Sequence, residues 1–338
     1  MAKKIIEEKK KVILGADAGA SHYGLDSASG FVSIPAHVAP DSVRETVKLD
    51  GLGRMKRPRV IELPNGRRFY VGDEANAYNR PIENLNLDRQ SGTPEIRAVF
   101  YSAFTEYQIR HGNFRAPISI GVGLPNQYLS GADAEKRKSA VRAWTEGKHE
   151  WKADGLTYSM DVEESHPTGQ IVGAIFDHLL DDNGLFLDSR KHLLKEGILA
   201  VSIGYSTIEL IGVQNKNQLP RFTDGKPLGA RVMLERLRRE GADLASLEIA
   251  LRNGSLRLGG ELETWASEVT GYIDTAWGNG WKAFNEVVLV GGGVEKELLR
   301  DRMIAFFEGR ARICEDPTRS VARGIRKLLT QKLNAKKD

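Results

Sequence analysis

Three times in this chain a short apolar strand is delivered directly into glycine and other small residues. Val12 to Ala16 runs into Asp17-Ala18-Gly19-Ala20-Ser21, Ile198 to Ile203 into Gly204-Tyr205-Ser206-Thr207, and Val287 to Val290 into Gly291-Gly292-Gly293. Glycine has no Cβ, so such ends admit a close approach by a ligand or by another stretch of backbone. Between them the pattern alternates. Val60 to Leu63 and Phe69 to Val71 flank Asn65-Gly66, a hairpin signal. Glu95 to Arg110 places Val99, Ala103, Phe104 and Tyr107 on one helix face. Pro117 to Leu124 reads as a buried strand stopped by Pro125, Ala132 to Trp144 as a charged helix and Tyr158 to Val162 as a strand. Thr168 to Leu180 reads as a helix that Thr168 can cap. Strands alternating with helices predict an α/β fold with mixed sheets, and 338 residues exceed what one hydrophobic core usually serves, which predicts two lobes. No fixed-period repeat is present, but both halves open with a strand, a glycine turn and a second strand.

Composition narrows the functions. A hydrophobic fraction of 41% with 28% charged residues is that of an ordinary soluble chain. The single cysteine, Cys314, has no partner for an internal disulfide or a thiol metal clip and is expected to be a buried small apolar residue. The lysine-rich start is followed only by the short Val12 to Leu14 run, and no longer apolar run could span a bilayer, so the expected place is the cytoplasm. A net charge of +4 from 49 basic and 45 acidic residues supports solubility and gives no basis for direct nucleic-acid binding. No G-x-x-x-x-G-K-[ST], H-E-x-x-H or G-x-S-x-G occurs, which removes the footholds of P-loop, zinc-protease and serine-hydrolase readings.

Four segments are candidates for chemistry. At the first turn, backbone N–H groups around Gly19, Ala20 and Ser21 suit a phosphate, and the Asp17 carboxylate suits a magnesium ion held through water. The second turn offers Gly204, Tyr205 and the hydroxyls of Ser206 and Thr207. The third, Gly291, Gly292 and Gly293, could admit a flat nucleoside; it is not a G-x-G-x-x-G motif, because Lys296 stands at its third glycine's place. The fourth is Glu163-Glu164-Ser165-His166-Pro167-Thr168-Gly169, where one carboxylate could orient an attacking water. Taken singly, each has a plainer reading: tight turns for the first three, acids at a helix start for the fourth.

In their order, these segments resemble the actin superfamily, and most closely the ParM-type plasmid-segregation actins, from about Val12 to Leu329. Gly121-Val122-Gly123-Leu124-Pro125 resembles the end of that family's fifth strand. Glu135-Lys136-Arg137-Lys138 followed by Glu164-Ser165-His166-Pro167-Thr168-Gly169 is similar to its E-R-K-K and E-S-x-P-x-G patterns, and Ser320-Val321-Ala322-Arg323-Gly324 resembles its closing helix. The resemblance implies an actin-like (ribonuclease H-like) two-domain fold with a nucleotide cleft between lobes. Domain I would cover 1–165 with a smaller subdomain inserted at about 31–95, and domain II 166–329, its final helix at about 317–329 packing back on domain I before a basic tail at 330–338. It further implies ATP or GTP with Mg2+ at the three turns, Glu164 supporting slow hydrolysis coupled to polymerisation, self-assembly into filaments, and plasmid or DNA segregation through a DNA-binding adaptor. Two other functions share the fold: a small-molecule kinase, and a membrane-linked cell-division scaffold using Arg319, Arg323, Arg326 and Lys327 interleaved with Ile325, Leu328 and Leu329. The family's aspartate at the opening of the second turn is Ser202 here, so the resemblance implies that an acid restored at 202 would raise turnover.

Overall fold

The computed structural model describes residues 11–41, 55–83, 86–238 and 242–335. In chain order its strands and helices are β1 (Val12–Ala18), β2 (His22–Ser27), β3 (Gly30–Pro35), β4 (Val38–Pro40), β5 (Arg59–Glu62), β6 (Arg68–Val71), α1 (Ala75–Tyr78), α2 (Pro94–His111), β7 (Ile118–Leu124), α3 (Ala134–Thr145), β8 (Gly147–Ala153) and β9 (Leu156–Gly169). There follow α4 (Gln170–Leu179), α5 (Leu193–Glu196), β10 (Ile198–Ile203), β11 (Ile208–Gln214), β12 (Asn217–Gln218), β13 (Asp224–Lys226), α6 (Ala230–Leu237), α7 (Leu244–Arg252), α8 (Glu261–Trp277), β14 (Glu286–Val290), α9 (Glu297–Phe306), β15 (Ala311–Ile313) and α10 (Ser320–Asn334).

The strands form two sheets. The larger runs β3-β2-β1-β7-β9-β8-β5-β6-β4, and the smaller β12-β11-β10-β14-β15 with β13 beside β11. The sequence echo is a structural one. β1 pairs antiparallel with β2 through the first turn and parallel with β7, and β10 pairs antiparallel with β11 through the second turn and parallel with β14. One face of the larger sheet is covered by α2, whose Phe100 and Phe104 pack with Tyr23, Trp144 and Trp151 in one core. Trp265, Ile273, Trp277 and Phe307 build a second core on one face of the smaller sheet.

A third core fills the space between the sheets. It is made by Ile171, Ala174, Ile175 and Leu179 of α4, Val321 and Ile325 of α10, and Ile198, Ala200, Ile211, Val288 and Val290 of the smaller sheet. Glycine allows this layer to close. A Cβ on Gly15 would meet the Ala322 carbonyl oxygen at 2.0 Å, and one on Gly121 would meet the Ile325 side chain at 2.4 Å, so α10 lies directly on β1 and β7. Where the two helices cross, a Cβ on Gly324 would meet the Gly173 carbonyl oxygen at 1.8 Å, and one on Gly173 the Val321 carbonyl oxygen at 2.4 Å.

Ion pairs lock α10 in this position. Arg323 holds Asp177 of α4 bidentately at 2.6 and 2.8 Å, and Lys327 adds a contact at 2.9 Å. Asp26 of β2, fully buried, accepts from both Arg319 and Arg326 at 2.6 Å. The basic residues that suggested a lipid-facing surface are therefore turned inward onto acids, and Ile325, Leu328 and Leu329 are buried. The helix continues through Asn334, past the boundary expected at 329. Among the described residues no helix is long and apolar enough to cross a membrane.

One local expectation is corrected. β9 runs 14 residues to Gly169, and α4 begins only at Gln170, so Thr168 is a strand residue and caps nothing. Proline at 167 did not end the strand because β8 pairs with β9 only as far as Val162; beyond that point β9 has β7 on one side alone, an edge position that tolerates the missing N–H.

Because the helix crossing at Gly173 and Gly324 is backbone against backbone, neither partner can rotate away from an added side chain. Gly324→Val is expected to cost at least about 3 kcal/mol, the upper end of ordinary overpacking. Chemical denaturation monitored by circular dichroism checks this; a midpoint equal to the parent's contradicts the packing.

Candidate functional site

Parallel strands in α/β folds present ligands at their carboxyl ends. Here β1, β7 and β9 end in register, Asp17 beside Gly123 and Leu124 beside Gly169. At that edge the Gln170 amide, the first residue of α4, donates to Asp17 Oδ1 at 2.5 Å. Gly123 lies under this contact, where a Cβ would meet the Ile325 side chain at 2.7 Å, the Ala16 carbonyl oxygen at 3.1 Å and the Gln170 side chain at 3.2 Å. Burial pushes the Asp17 carboxyl up to about 6, against the pull of the Gln170 hydrogen bond. Gly19 permits the tight β1–β2 turn, since a Cβ there would meet the His22 carbonyl oxygen at 2.6 Å.

From the other lobe, Glu209 enters the same region. It stands on β11 opposite Ser202 and is 3% exposed. One carboxylate oxygen accepts from the Asn126 backbone N–H at 2.6 Å, while Oε2 has no partner among the described residues. Burial drives its pKa up to about 7; the Asn126 hydrogen bond lowers it and the charge of Asp17 raises it. The Asn126 side-chain amide nitrogen and the Ser206 hydroxyl are likewise buried without a partner. Several unsatisfied polar atoms at one cleft are unusual in a folded protein, and a bound polar ligand satisfies such atoms.

The second and third turns are stacked. In the second, the Gly204 N–H donates to the Thr207 carbonyl at 2.9 Å, and the start of α6 holds it from beneath through Ala230 N–H to Gly204 O at 3.1 Å and Arg231 N–H to Tyr205 O at 2.9 Å. In the third, Gly291 has φ +92° and its Cβ would meet the Ile203 carbonyl oxygen at 2.5 Å; a Cβ on Gly293 would meet the Ile203 side chain at 2.4 Å. Gly292 alone faces open space, with nothing within 4 Å of an added Cβ. Two of the three glycines thus serve packing, and one is free to line a site.

Helix α7 clasps the cleft. Glu248 lies 3.0 Å from His37, which is also 3.2 Å from Asp73, and Glu248 accepts from the Ser21 hydroxyl. Arg252 reaches Asp73 at 2.8 Å and His22 at 3.0 Å, and Asn76 donates to Ser246 at 2.6 Å. Burial opposes charge on His37, but the hydrogen bonds to Asp73 and Glu248 prevail and hold its pKa up at about 9. The cavity enclosed here, bounded by Ala20, His37, Tyr205, Arg231 and Glu248, is only about 60 Å³, well below the 300 Å³ or more of a usual ligand pocket. A larger cavity of about 760 Å³ lies beside β5 and β6 and is lined by Lys56, Arg59 and Lys152; it is not at these strand ends.

The structure thus places Asp17 at the end of β1, and Gly19, Ala20, Ser21, Gly204, Tyr205, Ser206, Thr207, Gly291, Gly292 and Gly293 on three turns at one edge of the two sheets. It does not bring Glu164 there. Glu164 pairs with Ser119, four residues or about 13 Å before Gly123 along β7. Its carboxylate accepts from Lys11 at 2.9 Å and from Ser119 at 2.6 Å, and the Ser119 hydroxyl and Lys11 hold its pKa down at about 2. An acid so engaged at the far end of the strand does not orient a water at the cleft. Gln170 and Glu209 do face it and were missed. Their signals were slight: a polar residue directly after Gly169, and a lone acid in the apolar run Ile208 to Val213.

Two lobes built on the same hairpin and parallel strand, joined by crossed helices and meeting at an acid-lined cleft, define the actin-like (ribonuclease H-like) two-domain class. This chain has the actin fold: it is similar to solved structures of ParM and of archaeal actin homologues. Apo ParM of pSK41 matches with a TM-score of 0.70 and 16% identity, covering 96% of this chain and 98% of that one. Ta0583, an archaeal actin homologue, matches at 0.71 and 16% over 97% and 100%, and its complex with ADP at 0.70 and 16% over the same shares. A 15-stranded ParM filament from Clostridium botulinum matches at 0.70 and 17% over 96% and 99%. No family model and no curated protein matches the sequence.

Two outcomes follow from this geometry. Gly293→Val, which forces a branched side chain into Ile203, is expected to lower the unfolding free energy by about 1–3 kcal/mol, whereas Gly292→Val leaves it within about 0.5 kcal/mol. Urea titration of the two variants distinguishes them, and equal losses contradict the assignment of Gly292 to open space. The His37 clasp has a folded pKa above its free value, so its contribution is complete below about pH 6.5 and is lost as pH rises through about 9. Hydrogen exchange of α7 should accelerate over that rise in the parent and not in His37→Gln; a parent whose α7 exchange, corrected for intrinsic rate, stays flat contradicts the clasp.

Proposed function

We propose that this protein binds ATP with Mg2+ in the cleft between its lobes and polymerises into filaments whose stability follows nucleotide state, in the service of plasmid or DNA segregation. The observation that carries the reading is the convergence at one edge of the two sheets of Asp17, Gln170 and Glu209 with three glycine turns, on a fold whose solved relatives include an ADP complex and a filament. Asp17 and Glu209 are the acids in a position to meet a hydrated Mg2+, and their partly unsatisfied, buried setting suits it. Mg2+ there would neutralise charge on the phosphates. The N–H groups of Gly19 to Ser21 and Gly204 to Thr207 would cradle the phosphates, Ser21 exchanging its contact with Glu248 for one to phosphate, and Gly292 would lie against the nucleoside.

The chain's own residues also suggest how turnover would be slow. Gln170, fixed to Asp17 at the end of β9, is placed to orient a water but not to remove its proton. The proposed partners are other copies of this chain and a DNA-binding adaptor, since a net charge of +4 offers little for DNA itself.

Electron microscopy and pelleting with and without ATP and Mg2+ test the reading. Nucleotide-dependent filaments support it, and nucleotide binding without assembly under any condition overturns the filament part. Gln170→Ala is expected to assemble but to release phosphate more slowly by a factor on the order of 10², the cost of losing positioning alone, while Glu164→Ala hydrolyses at close to the parent rate. The reverse order in a phosphate-release assay contradicts the placement of the two residues.

A further inference from the structure

We propose that the cavity beside β5 and β6 is a binding site for a small, multiply charged anion bearing phosphate or carboxylate groups, separate from the cleft at the three turns. The inference stands on the cavity's own walls and does not depend on the nucleotide reading.

One basic stretch of sequence supplies most of the charge. Lys56, Arg57, Pro58 and Arg59 all line the cavity. Pro58 is buried, and a proline holds the residue before it extended, so Arg57 leads straight into β5 at Arg59. Two further cations reach the same space, Arg68 from β6 and Lys152 from the end of β8. The rest of the wall is largely apolar: Ile34 of β3, Val60 of β5 and Val71 of β6 are buried there. At about 760 Å³ the cavity falls in the range of usual small-molecule sites, and an apolar wall with a few charged groups is their usual make-up.

The balance of charge selects the ligand class. Five cations line the cavity against three acids, Glu62, Glu74 and Asp154. Each acid is engaged: Glu74 accepts from Lys56 at 2.5 Å, Glu62 from Lys152 at 2.9 Å, and Asp154 from the Val60 backbone N–H at 2.8 Å. Among the described residues no group of three acids, histidines or cysteines could hold a metal ion, so these acids do not make a cation site. Lys56 and Lys152 are exposed, and exposed ion pairs contribute little, so an incoming anion can share both lysines at small cost.

The two arginines of the stretch hold donors in reserve. Arg57 is exposed and makes no ion pair or hydrogen bond among the described residues. Arg59 is fixed by two contacts, to the Ser102 carbonyl at 3.2 Å and to Glu106 at 2.8 Å, while its Nε has no partner and an Asp154 oxygen stands 3.9 Å away. A planar guanidinium held in place matches the paired oxygens of a phosphate or a carboxylate. Because the cations come from three separate segments, a ligand with a single charge would engage only some of them.

Calorimetric titration of the full chain in EDTA with tripolyphosphate, and separately with benzene-1,3,5-tricarboxylate, tests the proposal and separates the two chemistries. At least one probe is expected to bind. Its affinity should fall by about tenfold or more in Arg57→Gln/Lys152→Gln, which removes charged hydrogen-bond donors at two exposed positions. The control Lys191→Gln/Lys195→Gln removes the same charge from exposed positions in the other lobe and should stay within about twofold of the parent. Hydrogen exchange locates the anion: with the probe bound, the amides of β5 and β6 should slow. A site that takes one probe and refuses the other supports the proposal and assigns the chemistry. Binding of neither probe, equal losses in the two double variants, or slowed exchange at the three turns with none in β5 and β6 overturns it.

Discussion

The crossing of α4 and α10 is the constraint on which the rest of this structure depends. Gly173 and Gly324 bring the two helix backbones into contact, and Gly15 and Gly121 let α10 lie on β1 and β7 without an intervening side-chain layer. The larger sheet is thereby tied to a helix pair whose other side carries the smaller sheet. Dispersion and burial supply the attraction, but they do not fix an angle. Specific geometry comes from Asp177, held by Arg323 and Lys327 of α10, and from Asp26, held by Arg326 of α10 and by Arg319 just before it, both acids being buried. Breaking such a pair strands a charge in the interior, so the registry of helix against sheet is held by a high cost of error rather than by net attraction.

The cleft is a consequence of that layer. Since α4 both begins at the edge of the larger sheet and packs on the smaller one, its first residue necessarily sits where the two sheets come together. That residue is Gln170, and its hydrogen bond to Asp17 joins helix and strand end. Glu209 reaches the same region from the hairpin of the smaller sheet and contacts Asn126 of the other lobe. Two acids with elevated pKa values, at about 6 and about 7, are what remains when carboxylates are desolvated near one another without a counter-charge. The contacts of α7 with His37, Asp73 and Ser21 then close off a space of only about 60 Å³ beside the cleft.

The sequence carried the turns well, because a strand ending in glycine has few alternatives in backbone geometry. The turns at Asp17, Gly204 and the triple glycine could be found from residue types alone, as could β7 from its uninterrupted burial, whereas α2, read as a helix with one apolar face, is buried on nearly every side between Ile96 and Gln108 because it lies under the larger sheet's core. What it could not carry was register. Glu164 precedes a proline, a pattern that reads as a helix start, and only the one-sided pairing of β9 beyond Val162 shows that the strand continues and leaves this acid at the wrong end. Glu209 is the converse case. Nothing local marks it except an acid among apolar residues, and its place beside the other lobe appears only when the hairpin pairing and the Asn126 N–H bond are seen. The basic residues of α10 looked like a surface stripe for the same reason: their acidic partners, Asp26 and Asp177, are about 150 to 300 positions away in the chain.

The central claim is that the cleft at the ends of β1, β10 and β14 holds a nucleotide with its phosphates between the first two turns. Hydrogen–deuterium exchange with and without ATP and Mg2+ measures this most directly. The account predicts slowed exchange of the amides at Gly19 to Ser21, Gly204 to Thr207 and Gly291 to Gly293 together, with the outer helix α8 unchanged. Protection confined to the cavity beside β5 and β6, or no change at any of the three turns under conditions where ATP is bound, would contradict it.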